Sequence, residues 1–135
     1  MVRPKTSKPG SKRAHTVQEG YNIKARVWIE KDGELYLGWG RVLLLEKLDK
    51  LGSIAAAARE MKLTYRNAWL WIDSMNRLAP SPLVEKTIGG EGGGSTILTE
   101  EGQKAIKQYR GLQRRLRKII EKGTELSPSS AGKSV

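Results

Sequence analysis

A chain of 135 residues with 25 Lys and Arg against 14 Asp and Glu carries a formal charge of +11 and contains no cysteine. That composition excludes disulfide scaffolds, thiolate nucleophiles and cysteine-ligated zinc or iron–sulfur centres. The single histidine, His15, sits in a polar stretch that offers neither a histidine metal site nor a catalytic triad.

So basic a chain expects a polyanionic partner, nucleic acid or an anionic membrane. The longest apolar runs, residues 42–45 and 54–58, fall far short of the roughly 20 residues needed to span a bilayer, so membrane is set aside. No apolar segment follows the N-terminal basic residues, so no secretory signal is expected and a cytoplasmic, nucleoid-associated location is. The charge is uneven. Residues 1–20 hold five basic groups against Glu19 (net +4), residues 21–100 hold 11 basic and 10 acidic (net +1), and residues 101–135 hold nine basic and three acidic (net +6).

Residues 1–20 contain Pro4, Pro9, Gly10 and Gly20 with few apolar groups, and are expected to form a disordered basic arm. From Tyr21 the pattern alternates, with Ile23, Ala25, Val27 and Ile29 on one side. Lys31-Asp32-Gly33 supplies a turn, after which Leu35 and Leu37 resume the apolar face, so a β-hairpin is expected over residues 21–37. A helix is expected over residues 41–51, ended by Gly52. Ser53 caps a second helix over residues 54–61, rich in alanine, and Lys62-Leu63 breaks it. Thr64 caps a third helix over residues 65–78, which Pro80 and Pro82 end. A short helix, a tight break and a capped second helix form a helix-turn-helix pattern.

A strand over residues 83–88, a glycine-rich loop over residues 89–95 and a return strand over residues 96–98 then form a hairpin like the wing of a winged helix. Thr99 caps a last helix that opens on Glu100 and Glu101, which suit its positive end. Its apolar residues Ala105, Ile106, Tyr109, Leu112, Leu116, Ile119 and Ile120 recur at intervals suited to one stripe. Residues 123–135 are expected to be a flexible tail. The expected fold is mainly α with small β-hairpins: a winged helix-turn-helix domain over residues 21–122, with an N-terminal hairpin and a long C-terminal dimerisation helix.

On the third helix, Tyr65, Ala68, Trp69, Ile72 and Met75 make an apolar face and Thr64, Arg66, Asn67, Asp73 and Arg77 a polar one. Arg pairs bidentately with guanine and Asn with adenine, so Arg66 and Asn67 are the candidate base readers; their competing roles are a surface ion pair and a phosphate contact. Thr64 suits a cap better than a base contact, and Tyr65 the edge of the core. Lys86, Thr87, Ser95 and Thr96 flank the glycine-rich loop and are candidate phosphate contacts. That loop lacks the Gly-Lys-Ser/Thr of a nucleotide-binding P-loop. Trp69 suits the core, Trp28 and Trp39 the hairpin–helix junction, and Trp71 lies off the apolar stripe. The run Arg114-Arg115-Leu116-Arg117-Lys118 suits a solvated helix face or a track along DNA. Tyr109, Leu112, Leu116, Ile119 and Ile120 exceed what a small core needs and are the candidate dimer surface. No pattern identifies a catalytic group, a metal site, a cofactor or a small-molecule effector.

The text GSIAAAAREMKLTYRNAW, then MNRL, then LVEKTIGGEGGGSTILTEEGQ resembles the N-terminal DNA-binding domain of the ModE regulators, which respond to molybdate, a domain itself similar to the LysR-type winged helix. With flanking helices the likeness covers residues 38–122. It implies a homodimer on double-stranded DNA, with Tyr65, Arg66 and Asn67 at the start of the recognition helix and Lys86 at a basic position before the wing. Lys62 stands where the family usually has glycine, Glu91 where a basic wing residue is common, and Leu70 and Trp71 are bulkier or more apolar than usual. The Ser-Ala-Arg-Asn-like oxyanion segment of molybdate-sensing members does not occur in this sequence, so the chain alone is not expected to sense molybdate. The expected function is a sequence-specific dimeric transcription regulator. The alternatives are an architectural DNA-coating protein and a module that recruits another protein through Leu70 and Trp71 or through the first hairpin.

Overall fold

The computed structural model describes residues 20–87 and 95–122. The expected basic arm, the glycine-rich wing tip with Glu91, and the tail lie outside them. The elements run β1 (Ile29–Lys31), β2 (Glu34–Leu37), α1 (Trp39–Leu51), α2 (Ile54–Glu60), α3 (Tyr65–Leu78), β3 (Val84–Lys86), β4 (Thr96–Leu98) and α4 (Glu100–Glu121). Each strand pair is an antiparallel two-stranded sheet. The order is that of a winged helix-turn-helix with a hairpin in front and a 22-residue helix behind. Among the described residues, those between Val27 and Leu112 cluster as one compact unit.

The first hairpin is shorter than the alternation suggests. Asp32 (φ 51) and Gly33 (φ 83) both take the left-handed conformation that a two-residue turn between twisted strands requires. Pairing begins only at Ile29, because beyond Leu37 the chain enters α1 and offers residues 21–28 no opposing strand. A bulge also intervenes: Ile29 faces Leu37 but Glu30 faces Leu35, which leaves Tyr36 as the extra residue. Leu35 and Leu37 therefore do not share a face. Leu37 is fully buried, Tyr36 half-buried and Leu35 exposed.

The helix boundaries follow their caps. Gly52 (φ 73) closes α1, its N–H donating to Leu48 O at 2.7 Å. Ser53 Oγ accepts from Ala56 N–H, and Thr64 Oγ1 from Asn67 N–H. Ala57 and Ala58 are buried where α2 packs against α1 and α3. At the end of α2 the Leu63 N–H reaches Ala58 O (2.9 Å) and the Lys62 N–H reaches Arg59 O (3.1 Å). This crossed pair is the Schellman closure, and it holds Lys62 left-handed at φ 59, where glycine fits without strain.

The core gathers Leu37, the α1 residues Val42, Leu44, Leu45 and Leu48, and Ala68, Ile72 and Met75 of α3, with Leu83 and Val84 from the wing root. Tyr109 completes it. At 1% exposure, with its hydroxyl donating to Val27 O at 2.9 Å, it has no surface left for a second chain. Tyr109 is therefore a core residue rather than part of a dimer surface. Arg110 adds a two-bond ion pair to Glu46 (2.6 and 2.9 Å) that ties α4 to α1, and Lys47–Glu60 at 2.8 Å ties α1 to α2. Trp28 and Trp39 do not seal the hairpin–helix junction; each is more than half exposed, and the Trp28 indole N–H donates to Glu30. Trp71 does find a partner, its ring edge lying against Gly40 of α1.

Two substitutions test this account. Lys62→Gly removes the left-handed penalty and is expected to raise unfolding free energy by about 1 kcal/mol, a rise of about 4–8 °C in Tm, whereas Lys62→Ala is not. Gly102→Ala places a methyl 2.5 Å from both Leu83 O and Leu98 Cδ1, and is expected to cost about 1–3 kcal/mol in urea denaturation.

Candidate nucleic-acid interface

Residue identity along α3 divides the helix into two sides. Ala68, Ile72, Met75 and Leu78 are buried against the core. Opposite them, Arg66, Leu70, Asp73 and Arg77 recur at four-, three- and four-residue steps and form an exposed ridge. Asn67 is also exposed, one residue and about 100° further round than Arg66. The two candidate base readers thus leave the first turn in different directions.

Thr64 is exposed and its hydroxyl is the N-cap, as its residue type suggests. Tyr65 is not at the core edge. It is 54% exposed, and its ring meets Trp69 edge-on with centroids 6.3 Å apart and planes at 77°. Trp69 is half-buried, on the flank between the core and the exposed ridge. Its outer face receives a cation from the wing: Lys86 Nζ lies 4.8 Å from the ring centroid. Such a contact at an exposed site contributes about 0.5–1 kcal/mol, and it fixes where the ammonium sits. Residues twenty positions apart in the chain, Arg66 and Lys86, are thereby carried by the same end of α3.

Asn76 holds the wing in that position. Its side-chain oxygen accepts from the backbone N–H groups of Leu83 (2.8 Å) and Val84 (3.2 Å), and its amide donates to Val84 O (3.0 Å). One side chain on α3 therefore satisfies three backbone groups at the start of β3. No composition or spacing signal marks Asn76 for this role. Only the bend at Pro80 and Pro82 brings the strand back over it.

Other expected contacts have partners within the protein. Arg77 makes two bonds to the Glu34 carboxylate (2.9 and 3.3 Å), which join α3 to the first hairpin and hold that carboxyl below its ordinary pKa. It lies about 16 Å along the helix from Arg66. Arg41 reinforces the joint by donating to Leu35 O, Tyr36 O and Ser74 Oγ; burial, and then the nearby Arg77 charge, lower its pKa. Thr87 and Ser95 face each other across the hairpin. Thr87 N–H donates to Ser95 O at 2.7 Å and Ser95 N–H to Thr87 Oγ1 at 3.1 Å, so these hydroxyls close the wing base. Thr96 is buried and cannot reach a phosphate.

On α4, Leu112, Leu116 and Ile120 are half-buried and Ile119 is 67% exposed, while Arg114, Arg115, Arg117 and Lys118 are all exposed. Among the described residues no group of three or more His, Cys, Asp or Glu side chains could hold a metal ion, and no helix is long and apolar enough to cross a membrane.

Comparison with known proteins bears on what this surface is for. Over 101 residues, 75% of this chain, the sequence is 39% identical to the molybdenum transport protein ModE of Azotobacter vinelandii. Over that stretch the chain is similar to part of a ModE protein. It is also 34% identical over 93 residues, 69% of the chain, to the transcriptional regulator ModE of Haemophilus influenzae. A 69-residue stretch, 51% of the chain, is 41% identical to the DNA-binding transcriptional dual regulator ModE of Escherichia coli. The matches span 37%, 36% and 26% of those proteins, so the chain corresponds to between about a quarter and little more than a third of these relatives. No protein-family model matches it.

The seat of Lys86 on Trp69 can be measured by a double-mutant cycle. Trp69→Ala is expected to cost about 1–3 kcal/mol in urea denaturation and Lys86→Ala less than about 1, with a coupling of about 0.5–1 kcal/mol between them. A coupling of zero would show that the ammonium is not held by the ring.

Proposed function

We propose that this chain is a dimeric transcription regulator that reads duplex DNA in the major groove with α3 and grips phosphates with the wing, working at the nucleoid in the cytoplasm. The observation that carries this reading is the joint placement of Arg66, Asn67 and Lys86 at the exposed N-terminal end of a capped helix. A major groove about 12 Å wide admits such a helix, and side chains in its first turns reach base edges. Arg66 and Asn67 supply the hydrogen bonds that choose bases, and Lys86 supplies a charge that neutralises phosphate. Thr64 acts as the cap, and Tyr65 borders the groove beside Trp69. Thr87 and Ser95 keep the wing closed at its base. Arg77, already paired with Glu34, contributes more to bracing the helix than to binding.

Dimerisation is assigned to the stripe Leu112, Leu116, Ile119 and Ile120 of α4. Its most apolar exposed member, Ile119, has no evident role in a monomer. Two copies joined there would present two recognition helices to half-sites related by a two-fold axis. The names of the ModE relatives, which include transcriptional regulators and no enzyme, support regulation of transcription over catalysis.

The architectural reading rests on a different observation, the concentration of positive charge outside residues 21–100. Salt titration on selected and random duplexes separates the two. A regulator keeps a preference for the selected sequence as salt rises, whereas a coating protein loses binding equally on both.

Arg66→Ala is expected to relax base preference at one position per half-site, a change worth about 1–3 kcal/mol there. Lys86→Ala is expected to weaken all sequences alike and lower the salt slope by about 1. Equal, sequence-independent losses from both variants would count against base reading by Arg66. Sedimentation at micromolar concentration should give a dimer for the natural chain, and Ile119→Glu should shift it to monomer.

A further inference from the structure

Leu70 is the one apolar side chain on the exposed ridge of α3. It is 51% exposed and lies between Arg66, one turn before it, and Asp73, one turn after. The core does not need it, since the buried side of the helix is complete without it. The ridge around it is charged, so Leu70 offers too little contiguous apolar area for a protein partner to dock on. On the other flank of the same end of α3 stand Tyr65 and the Trp69–Lys86 pair, which bring a further cation toward whatever the ridge meets.

We propose that Leu70 is a specificity-determining residue that reads the methyl group of a thymine. The inference rests on α3 entering the major groove as proposed above. Among the four base-pair orientations, only those with thymine present a hydrocarbon to that groove, the C5 methyl. An aliphatic side chain with no donor or acceptor is matched to that feature alone. Arg66 and Leu70 are four residues apart, with β-carbons about 5–6 Å apart, while successive base pairs rise by about 3.4 Å. The two side chains therefore meet base pairs one or two steps apart. Asp73, on the same ridge, places a carboxylate where the helix would next approach the phosphate walls, so Leu70 marks the inner end of the reading surface. The ridge thus reads hydrogen bonds at its outer end and hydrocarbon one turn further in.

The test uses the full chain and a duplex selected with it from a random library. Each thymine of that duplex is replaced singly by deoxyuridine, which removes only the methyl, and binding is measured for the natural chain, Leu70→Ala and Leu70→Met. Burial of one methyl corresponds to roughly a three- to fivefold change in affinity. The expected result is one thymine per half-site whose replacement weakens the natural chain by that factor. It should lie within two base pairs of the position relaxed by Arg66→Ala. Leu70→Ala should be indifferent to the replacement and Leu70→Met should retain it. At the same position 5-methylcytosine should bind more tightly than cytosine by a similar factor. Unchanged thermal unfolding of both variants confirms that the effect lies in recognition.

The inference is overturned if no thymine is methyl-sensitive, or if Leu70→Ala discriminates thymine from uracil as well as the natural chain does. It is also overturned if Leu70→Ala leaves the base preferences intact but abolishes a nuclease-resistant association with another protein. An enriched sequence that depends on Arg66 but shows no methyl-sensitive thymine removes the role of Leu70 alone. Selection that enriches nothing removes the DNA-reading function and this role together.

Discussion

Leu83 is fixed on both sides of its peptide unit and by its side chain as well. Its N–H donates to Asn76 of α3, its carbonyl accepts from Thr99 N–H and lies beneath Gly102, and its isobutyl group is fully buried. Three elements meet there: the end of α3, the root of the wing and the start of α4. Thr99 joins them by donating its hydroxyl to Pro82 O and Leu83 O while accepting from Gly102 N–H. From that point Lys86 lies three residues further on, with its ammonium over Trp69. The wing is placed by the partly buried hydrogen bonds of Asn76 and Thr99 rather than by the weak strand pairing of a three-residue ladder.

The first hairpin is held differently. Arg41 and the Arg77–Glu34 pair fasten it to α3, and its bulge turns Tyr36 and Leu37 inward. Exposed ion pairs such as Arg77–Glu34 add little to stability, but here the pair sets the orientation of a residue that sequence reasoning would offer to DNA. The consequence is a division along α3. Its C-terminal half is braced by the hairpin and by Asn76. Its N-terminal half carries the exposed side chains Arg66, Asn67 and Leu70. Rigid support at one end and exposed functional groups at the other is the arrangement that precise contact with base edges demands.

Most of the element order is legible from local chemistry. Asp32-Gly33, Gly52-Ser53, Thr64 and Thr99 each mark a boundary because the turn or cap they form involves only neighbouring backbone, and the structure puts the helices and strands within a few residues of those marks. The left-handed Lys62 comes from a similarly short-range closure, at a position where the resemblance implies glycine. The strand length at residues 21–28 was not, because alternation states which side chains share a face but not whether a partner strand exists. The bulge at Tyr36 had no signal either, since register is settled between strands.

Residue type and local spacing by themselves determined a basic, cysteine-free chain with a helix-turn-helix, a hairpin behind it and a long amphipathic helix. They also singled out Arg66 and Asn67, whose exposure follows from helical period alone. Only the tertiary structure decided which polar groups were already satisfied. It paired Arg77 with Glu34, closed Thr87 on Ser95, buried Tyr109 and Thr96, seated Lys86 on Trp69 and left Tyr65 and Leu70 exposed. The reason is physical. Caps and turns are short-range bonds written into consecutive residues, whereas the availability of a side chain depends on what distant segments bring within a few ångströms of it.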